Sequence, residues 1–225
     1  KKSAGSTHIV IDIPYGEGSK VADMGDARDL AGKFKRIGEH IDTDIECTIT
    51  KGSAPIGRGI GPILEARDIL KVLAGDGPVD LKLKSIRLAD VLLQMCGSDE
   101  SARDILESGR AEEKFREIIA AQNGDPEVSL DDLQPGEVTH IVEAGRDGTV
   151  SHIDNELISE IARRAGAPKD HAAGIEMHVT VGDEVTEGEQ LYTVYAENEN
   201  KMAEARRIVS SEDAVRIRRA GETLV

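Results

Sequence analysis

Gly5-Ser6-Thr7-His8-Ile9-Val10-Ile11-Asp12-Ile13-Pro14-Tyr15-Gly16-Glu17-Gly18-Ser19-Lys20 is the stretch whose reading decides the fold. His8 to Ile13 is a β-branched run bounded by glycine and proline, which predicts a strand covered on both faces of an α/β sheet. The run enters a glycine-rich turn that closes on a lysine. Ligands of open α/β sheets gather outside the carboxyl ends of strands, where such a turn sits. Gly16 and Gly18 let backbone N–H groups approach an anion there, and Lys20 adds a point charge. Upstream, Lys1-Lys2-Ser3-Ala4 flows into the strand with no start methionine or leader, so the sequence reads as the back part of a longer protein.

Beyond the turn, Asp23 to Ile41 carries a helical stripe through Ala27, Leu30, Ala31, Phe34, Ile37 and Ile41. Asp42 to Thr50 alternates through Ile45, Cys47 and Ile49 and reads as a strand. Together these form a βαβ unit with a right-handed crossover. Four helical stretches follow, at 62–74, 80–96, 99–109 and 111–122, with Gly75, Gly97, Gly109 and Gly124 placed as C-terminal caps. The acidic, turn-rich run from Asp125-Pro126 to Pro135-Gly136 reads as a linker. After it the pattern is mostly β, at 138–144, 148–153, 175–181 and 190–196, with short helices near 154–165 and 199–210. Gly182 to Leu191 carries a hairpin signal of the kind found in small barrel-sandwich domains. The expected fold is α/β: a mixed sheet with flanking helices, plus a small C-terminal barrel-sandwich-like α+β domain. The expected division is residues 1–5 as the tail of a helical domain, 6–130 as the α/β lobe and 137–225 as the C-terminal domain.

Bulk chemistry removes several function classes. A formal net charge of −15 over 225 residues opposes binding to a nucleic-acid backbone or an anionic membrane. Aromatics are scarce, with no Trp and two Phe, Phe34 and Phe115, so stacking on splayed bases is not the expected recognition mode. Cys47 and Cys96 sit in apolar runs and read as buried, reduced thiols. No apolar run reaches the length of a bilayer span and no signal peptide is visible, which gives a cytoplasmic expectation. The six histidines are scattered, so no metal site is expected. No Gly-x-Ser-x-Gly elbow supports hydrolase chemistry.

Each candidate residue has a bland alternative. Lys20 is either a ligand contact or a solvated loop lysine. Asp12 reads best as a carboxylate accepting backbone N–H bonds in the turn. Gly57-Arg58-Gly59-Ile60-Gly61-Pro62 lacks the G-x-G-x-x-G spacing of a dinucleotide fingerprint. It is either an anion-binding loop before a helix N-terminus, with Arg58 as partner, or a tight packing turn. The Gly182–Gly188 turn holds no lysine, so a lipoyl- or biotinyl-carrier role is not expected and no cofactor is assigned.

Lys1 to His8, the Asp12 to Lys20 turn, and Gly57 to Pro62 together resemble the pyrimidine-nucleoside (thymidine) phosphorylase family, and within it the archaeal-type AMP phosphorylase branch. Where thymidine enzymes tend to carry Val-Lys-Val-Gly-x-Gly-Ala-Phe, this chain has Ile13-Pro14-Tyr15-Gly16-Glu17-Gly18-Ser19-Lys20. The resemblance continues through 111–116 and 121–126. It implies phosphorolysis of AMP by inorganic phosphate, in a homo-oligomer, with this chain as the C-terminal half. It also implies that the general acid and most phosphate ligands lie upstream, so no catalytic residue is assigned here. Lys20 corresponds to a lysine implicated in AMP binding, and Lys1 and Lys2 to the end of a Ser-x-x-x-Lys-Lys run facing the base. Gly16, Gly18, Ser19 and Arg58 are weaker substrate-binding candidates. A pyrimidine-nucleoside phosphorylase is the alternative enzyme; a non-catalytic assembly module is the alternative from another class.

Overall fold

The computed structural model describes residues 2–219, folded as two compact units. One takes in the chain through Ser53 together with Val72–Pro126. The other joins Ala54–Lys71 to the chain from Glu127 onward. Residues 54–71, read from the sequence as part of the α/β lobe, thus fall in the second unit.

In the first unit a short 3-10 turn, Lys2–Ala4, precedes β1 (His8–Tyr15), α1 (Met24–His40) and β2 (Asp44–Lys51). α1 starts where Asp23, in extended conformation, accepts the Asp26 N–H at 2.9 Å, an N-cap. β1 and β2 pair in parallel from His8 opposite Asp44 to Tyr15 opposite Lys51, so the βαβ unit forms. They form a two-stranded sheet, against which α1 packs together with a later helix, Val79–Met95. The expectation of a strand covered on both faces needs correction. Of the β1 run only Ile13 is buried; Ile9, Val10 and Ile11 remain half-exposed. The physical reason is that β1 has a single neighbouring strand, so its other edge and part of each face lack cover.

β3 (Gly59–Ile60) and α2 (Pro62–Leu73) follow, α2 running from the second unit back into the first. Then come α3 (Val79–Met95), α4 (Ala102–Glu107) and α5 (Arg110–Ala121). Val72, Ile86, Ala102 and Leu106 form the small core of this helical layer. Ser101 caps α4 through the Asp104 N–H, and Gly75, Gly97 and Gly109 adopt the left-handed backbone expected after a helix. At the end of α5 it is Asn123, with φ 62°, that turns left-handed, and the Gly124 N–H reaches back to Ile119 O at 2.9 Å. Cys96, expected to be buried, is exposed, because it is the C-cap of α3. Cys47 is half-buried, and burial pushes its thiol pKa up.

The second unit continues with β4 (Val138–Glu143), β5 (Gly148–Ile153), α6 (Asn155–Ala165), β6 (Gly174–Met177), β7 (Glu184–Val185), β8 (Gln190–Ala196), α7 (Glu199–Val209) and β9 (Val215–Arg218). Its strands form two sheets, ordered β3-β6-β8-β4 and β7-β5-β9, with every pairing antiparallel. One continuous core, including Val150, Ile158, Ile161, Ile175, Val194 and Met202, joins both sheets to α6 and α7. The stretch read as a hairpin, Gly182 to Leu191, is a sheet switch. β7 pairs with β5 and β8 pairs with β4 and β6, and two local turns make the change of direction. Asp183 accepts from the Thr180 N–H and hydroxyl, and Glu189 does the same for Thr186. The protein is a mixed α/β fold of helices and several sheets.

Candidate functional site

The parallel register sets the carboxyl ends of β1 and β2 side by side, Tyr15 opposite Lys51, and the turn after each strand leaves from this edge. Gly16 and Gly18 have φ of 125° and 73°, which a side chain would resist. The turn is held from within. Gly16 N–H donates to Val21 O at 3.0 Å and Ser19 N–H to Gly16 O at 3.0 Å. It is also tied to the neighbouring turn, since the Ser19 hydroxyl donates to Gly52 O at 2.9 Å and Gly52 N–H to Tyr15 O at 2.8 Å. A Cβ on Gly52 would stand 2.3 Å from Ser19 Oγ and 2.8 Å from Pro14 Cβ, so only glycine fits.

This arrangement reassigns the sequence candidates. The Gly16 N–H, the Ser19 N–H and the Ser19 hydroxyl proton hold the turn together and are not presented to a ligand. Lys20, on the same turn, is exposed and takes no hydrogen bond or ion pair among the described residues. A pinned backbone therefore carries an exposed cation beyond the strand ends, with the amino terminus of α1 four residues further on.

Asp12 does not cap the turn. It lies within β1, opposite Thr48, accepts the Thr50 hydroxyl at 2.7 Å and pairs with the Lys84 ammonium at 2.5 Å. Lys2 is also remote from Lys20. Its ammonium donates to Asp42 O at 2.7 Å, beside the amino ends of β1 and β2, where Asp44 N–H meets Thr7 O. The length of β1, about 23 Å at the usual strand rise, separates that end from the glycine turn. Lys1 lies outside the described residues.

Arg58 belongs to the other unit, where the Gly57–Pro62 loop is a packing turn with its own anion. The Arg58 and Gly59 N–H groups both donate to Asp68 Oδ2, at 2.6 and 2.8 Å, and Asp68 is 4% exposed. A Cβ on Gly59 would sit 2.3 Å from the Leu64 carbonyl carbon, and one on Gly61 2.5 Å from Ala173 O. The α2 amino terminus is likewise engaged, Ile63 N–H donating to His171 O at 3.1 Å. In the sequence alone Asp68 is an ordinary mid-helix acid. A signal was present: Leu64, Asp68 and Val72 recur every four residues on the buried stripe of α2. Among the described residues no three His, Cys, Asp or Glu side chains converge to hold a metal ion, and no helix is long and apolar enough to cross a membrane.

Residues 149–215 match the family model described as pyrimidine nucleoside phosphorylase C-terminal domain. AMP phosphorylase from Natronomonas pharaonis is 52% identical over all of this chain, which covers 46% of that relative. The chain is similar to the C-terminal portion of pyrimidine nucleoside phosphorylases. AMP phosphorylases from Pyrococcus furiosus and Methanosarcina mazei are 45% and 42% identical over 91% of this chain, which covers 42% of each. The chain thus spans about half the length of the curated relatives it matches, and corresponds to their C-terminal portion.

Proposed function

We propose that this chain is the C-terminal half of a cytoplasmic, homo-oligomeric nucleotide phosphorylase that converts AMP and inorganic phosphate to adenine and ribose 1,5-bisphosphate. In that reaction phosphate oxygen forms a bond to ribose C1′ as the bond from C1′ to the base nitrogen breaks. The ribose gains oxocarbenium character and the leaving base takes a proton. Such a step is accelerated by positioning two anions, stabilising the developing charge and protonating the base. The general acid and phosphate ligands are assigned to the part of the protein upstream of this chain. Lys20 is the contribution made here: a charged contact to the nucleotide.

The observation that carries this reading is the exposed ammonium of Lys20, without a partner among the described residues, at the carboxyl edge of a parallel strand pair, on a turn whose backbone is fixed by its own hydrogen bonds. The names of the relatives favour AMP over a pyrimidine nucleoside as substrate. The test is Lys20→Ala in the full-length protein, assayed with AMP, CMP, UMP and thymidine in the presence of phosphate. A charge-assisted hydrogen bond of roughly 1.5–3 kcal/mol corresponds to a loss of about one to two orders of magnitude in kcat/KM. The thermal midpoint should be unchanged. A change in kcat/KM below about twofold makes Lys20 a solvated loop lysine and overturns the assignment. Preference for thymidine over AMP overturns the choice of substrate.

A further inference from the structure

The second unit holds a cleft that the proposed phosphorolysis does not use. Its volume is about 720 Å³, and it is walled by the end of β4, the start of α6, the start of β8, and the run from the end of α7 through β9. Tyr192 forms part of the lining. The residue is 2% exposed, and its hydroxyl makes no hydrogen bond among the described residues. Yet no described side-chain oxygen or nitrogen is both sealed from solvent and unpartnered. The Tyr192 hydroxyl therefore opens onto the cleft, at the end of an otherwise buried ring. A deeply set hydroxyl of this kind gains from a guest that can pair with it.

The charges in the lining indicate which guest. Glu143 stands at the end of β4, and Glu212 and Asp213 on the loop between α7 and β9, so carboxylates approach from two different elements. None of the three carboxylates takes a hydrogen bond or ion pair among the described residues. Asp154, the fourth acid, is occupied as the N-cap of α6. Of the two arginines, Arg146 donates to Ile217 O at 2.6 Å and Arg216 is exposed. Val142, Leu157 and Leu191 supply apolar wall in the same cleft. Acids outnumber bases, they sit on separate walls, and hydrocarbon shares the lining.

We propose that this cleft binds a small aliphatic diamine. One ammonium meets the Asp213 carboxylate and the Tyr192 phenol oxygen, the methylenes lie against Leu157 and Leu191, and the second ammonium is directed toward Glu143. The negative charge of Asp213, after burial, helps hold the Tyr192 phenol in its neutral form, with its pKa pushed up to about 12. It is therefore a neutral partner for an ammonium at any physiological pH.

The test is calorimetric titration of the protein with putrescine, with 1,4-butanediol as the uncharged analogue, at about 0.15 M salt to screen diffuse attraction. The expected result is saturable binding at one site for putrescine and none for the diol. Asp213→Asn, on an exposed loop, should weaken binding at least about tenfold, and Tyr192→Phe, which removes only the hydroxyl, about fivefold. Lys20→Ala should leave it unchanged, which keeps the outcome separate from that of the phosphorolysis assay. Non-saturable binding, equal affinity for the diol, or affinity unaffected by Asp213→Asn overturns the proposal.

Discussion

Asp12 and Lys84 meet carboxylate to ammonium at 2.5 Å, a mid-strand acid in β1 held by a helix seventy-two positions further along the chain. Their side chains are only 22% and 24% exposed, so solvent screens the pair less than a typical surface bridge. Thr50 supplies a second donor to the same carboxylate. Replacing Asp12 with Ala should cost about 2 kcal/mol, because it leaves an ammonium and a hydroxyl without their acceptor. Lys84→Met should cost about 1 kcal/mol, and the double variant less than the sum. Urea unfolding of the three variants measures this. Strict additivity would show that the two groups are merely adjacent.

Asp68 should be more sensitive than any exposed acid. Two backbone N–H groups of the Gly57–Pro62 loop end on one of its oxygens in a buried setting. Asp68→Asn weakens charge-assisted bonds and introduces an amide that needs partners of its own, at a cost of about 2 kcal/mol. Asp68→Ala leaves both donors unsatisfied and should cost more. Thermal unfolding of both variants, with exposed Asp131→Asn as control, provides the comparison. An Asp68→Ala midpoint equal to that of wild type would remove the carboxylate from the account of this turn.

Alkaline pH should weaken the second unit through its tyrosines. Tyr195 is raised to about 12 by burial and by its hydroxyl bond to Glu176 at 2.9 Å, and Tyr192 to about 12 by burial and then by Asp213. A raised folded-state pKa means that the native state keeps its proton longer than the unfolded chain does. Stability is therefore whole below pH of about 10, the unfolded phenol value, and falls as pH climbs toward about 12. Urea midpoints measured across that window should decline, and less steeply for Tyr195→Phe. An identical slope in that variant would locate the alkaline sensitivity elsewhere.

Lys2 and Lys20 should behave differently in the full-length enzyme. The Lys2 ammonium is engaged with Asp42 O at the end of the strand pair away from the glycine turn, whereas Lys20 is exposed. Lys2→Ala should leave kcat/KM within about threefold of wild type, less than 1 kcal/mol, against the ten- to hundredfold loss expected for Lys20→Ala. Steady-state kinetics with AMP decide it. Equal losses would place both lysines at the substrate.

What could be read from the sequence was what local periodicity carries. The β1-α1-β2 unit, the later helices and four strands of the second unit were all visible as stripes, alternations and glycine stops. β3, with two residues, is too short to show a period, and β9 follows α7 with no glycine or proline stop to mark its start. The switch of sheets between β7 and β8 has the sequence signature of a hairpin, because Gly182 and Gly188 mark turns without saying which strand each will join. The Gly57–Pro62 loop stood undecided between anion site and packing turn. What decides it is Asp68, whose partnership depends on the fold of α2 and not on any motif in the loop. Lys20 was legible as an exposed lysine on a strand-end turn; the commitment of the Gly16 and Ser19 donors to that turn was not.

The passage of residues 54–71 through the second unit has a consequence for how the molecule is made. β1, α1 and β2 are all present once Lys51 has left the ribosome, and their parallel pairing spans only a local crossover. β3, however, emerges early and waits for β6, its partner at Ile175 and Glu176, through the synthesis of more than a hundred residues. At a typical 5–20 residues per second that delay is on the order of ten seconds, during which Asp68 can already hold the Arg58 and Gly59 amides in place. A gene fragment beginning at Glu127 would lack that pre-set edge and would have to close its four-stranded sheet with one strand missing.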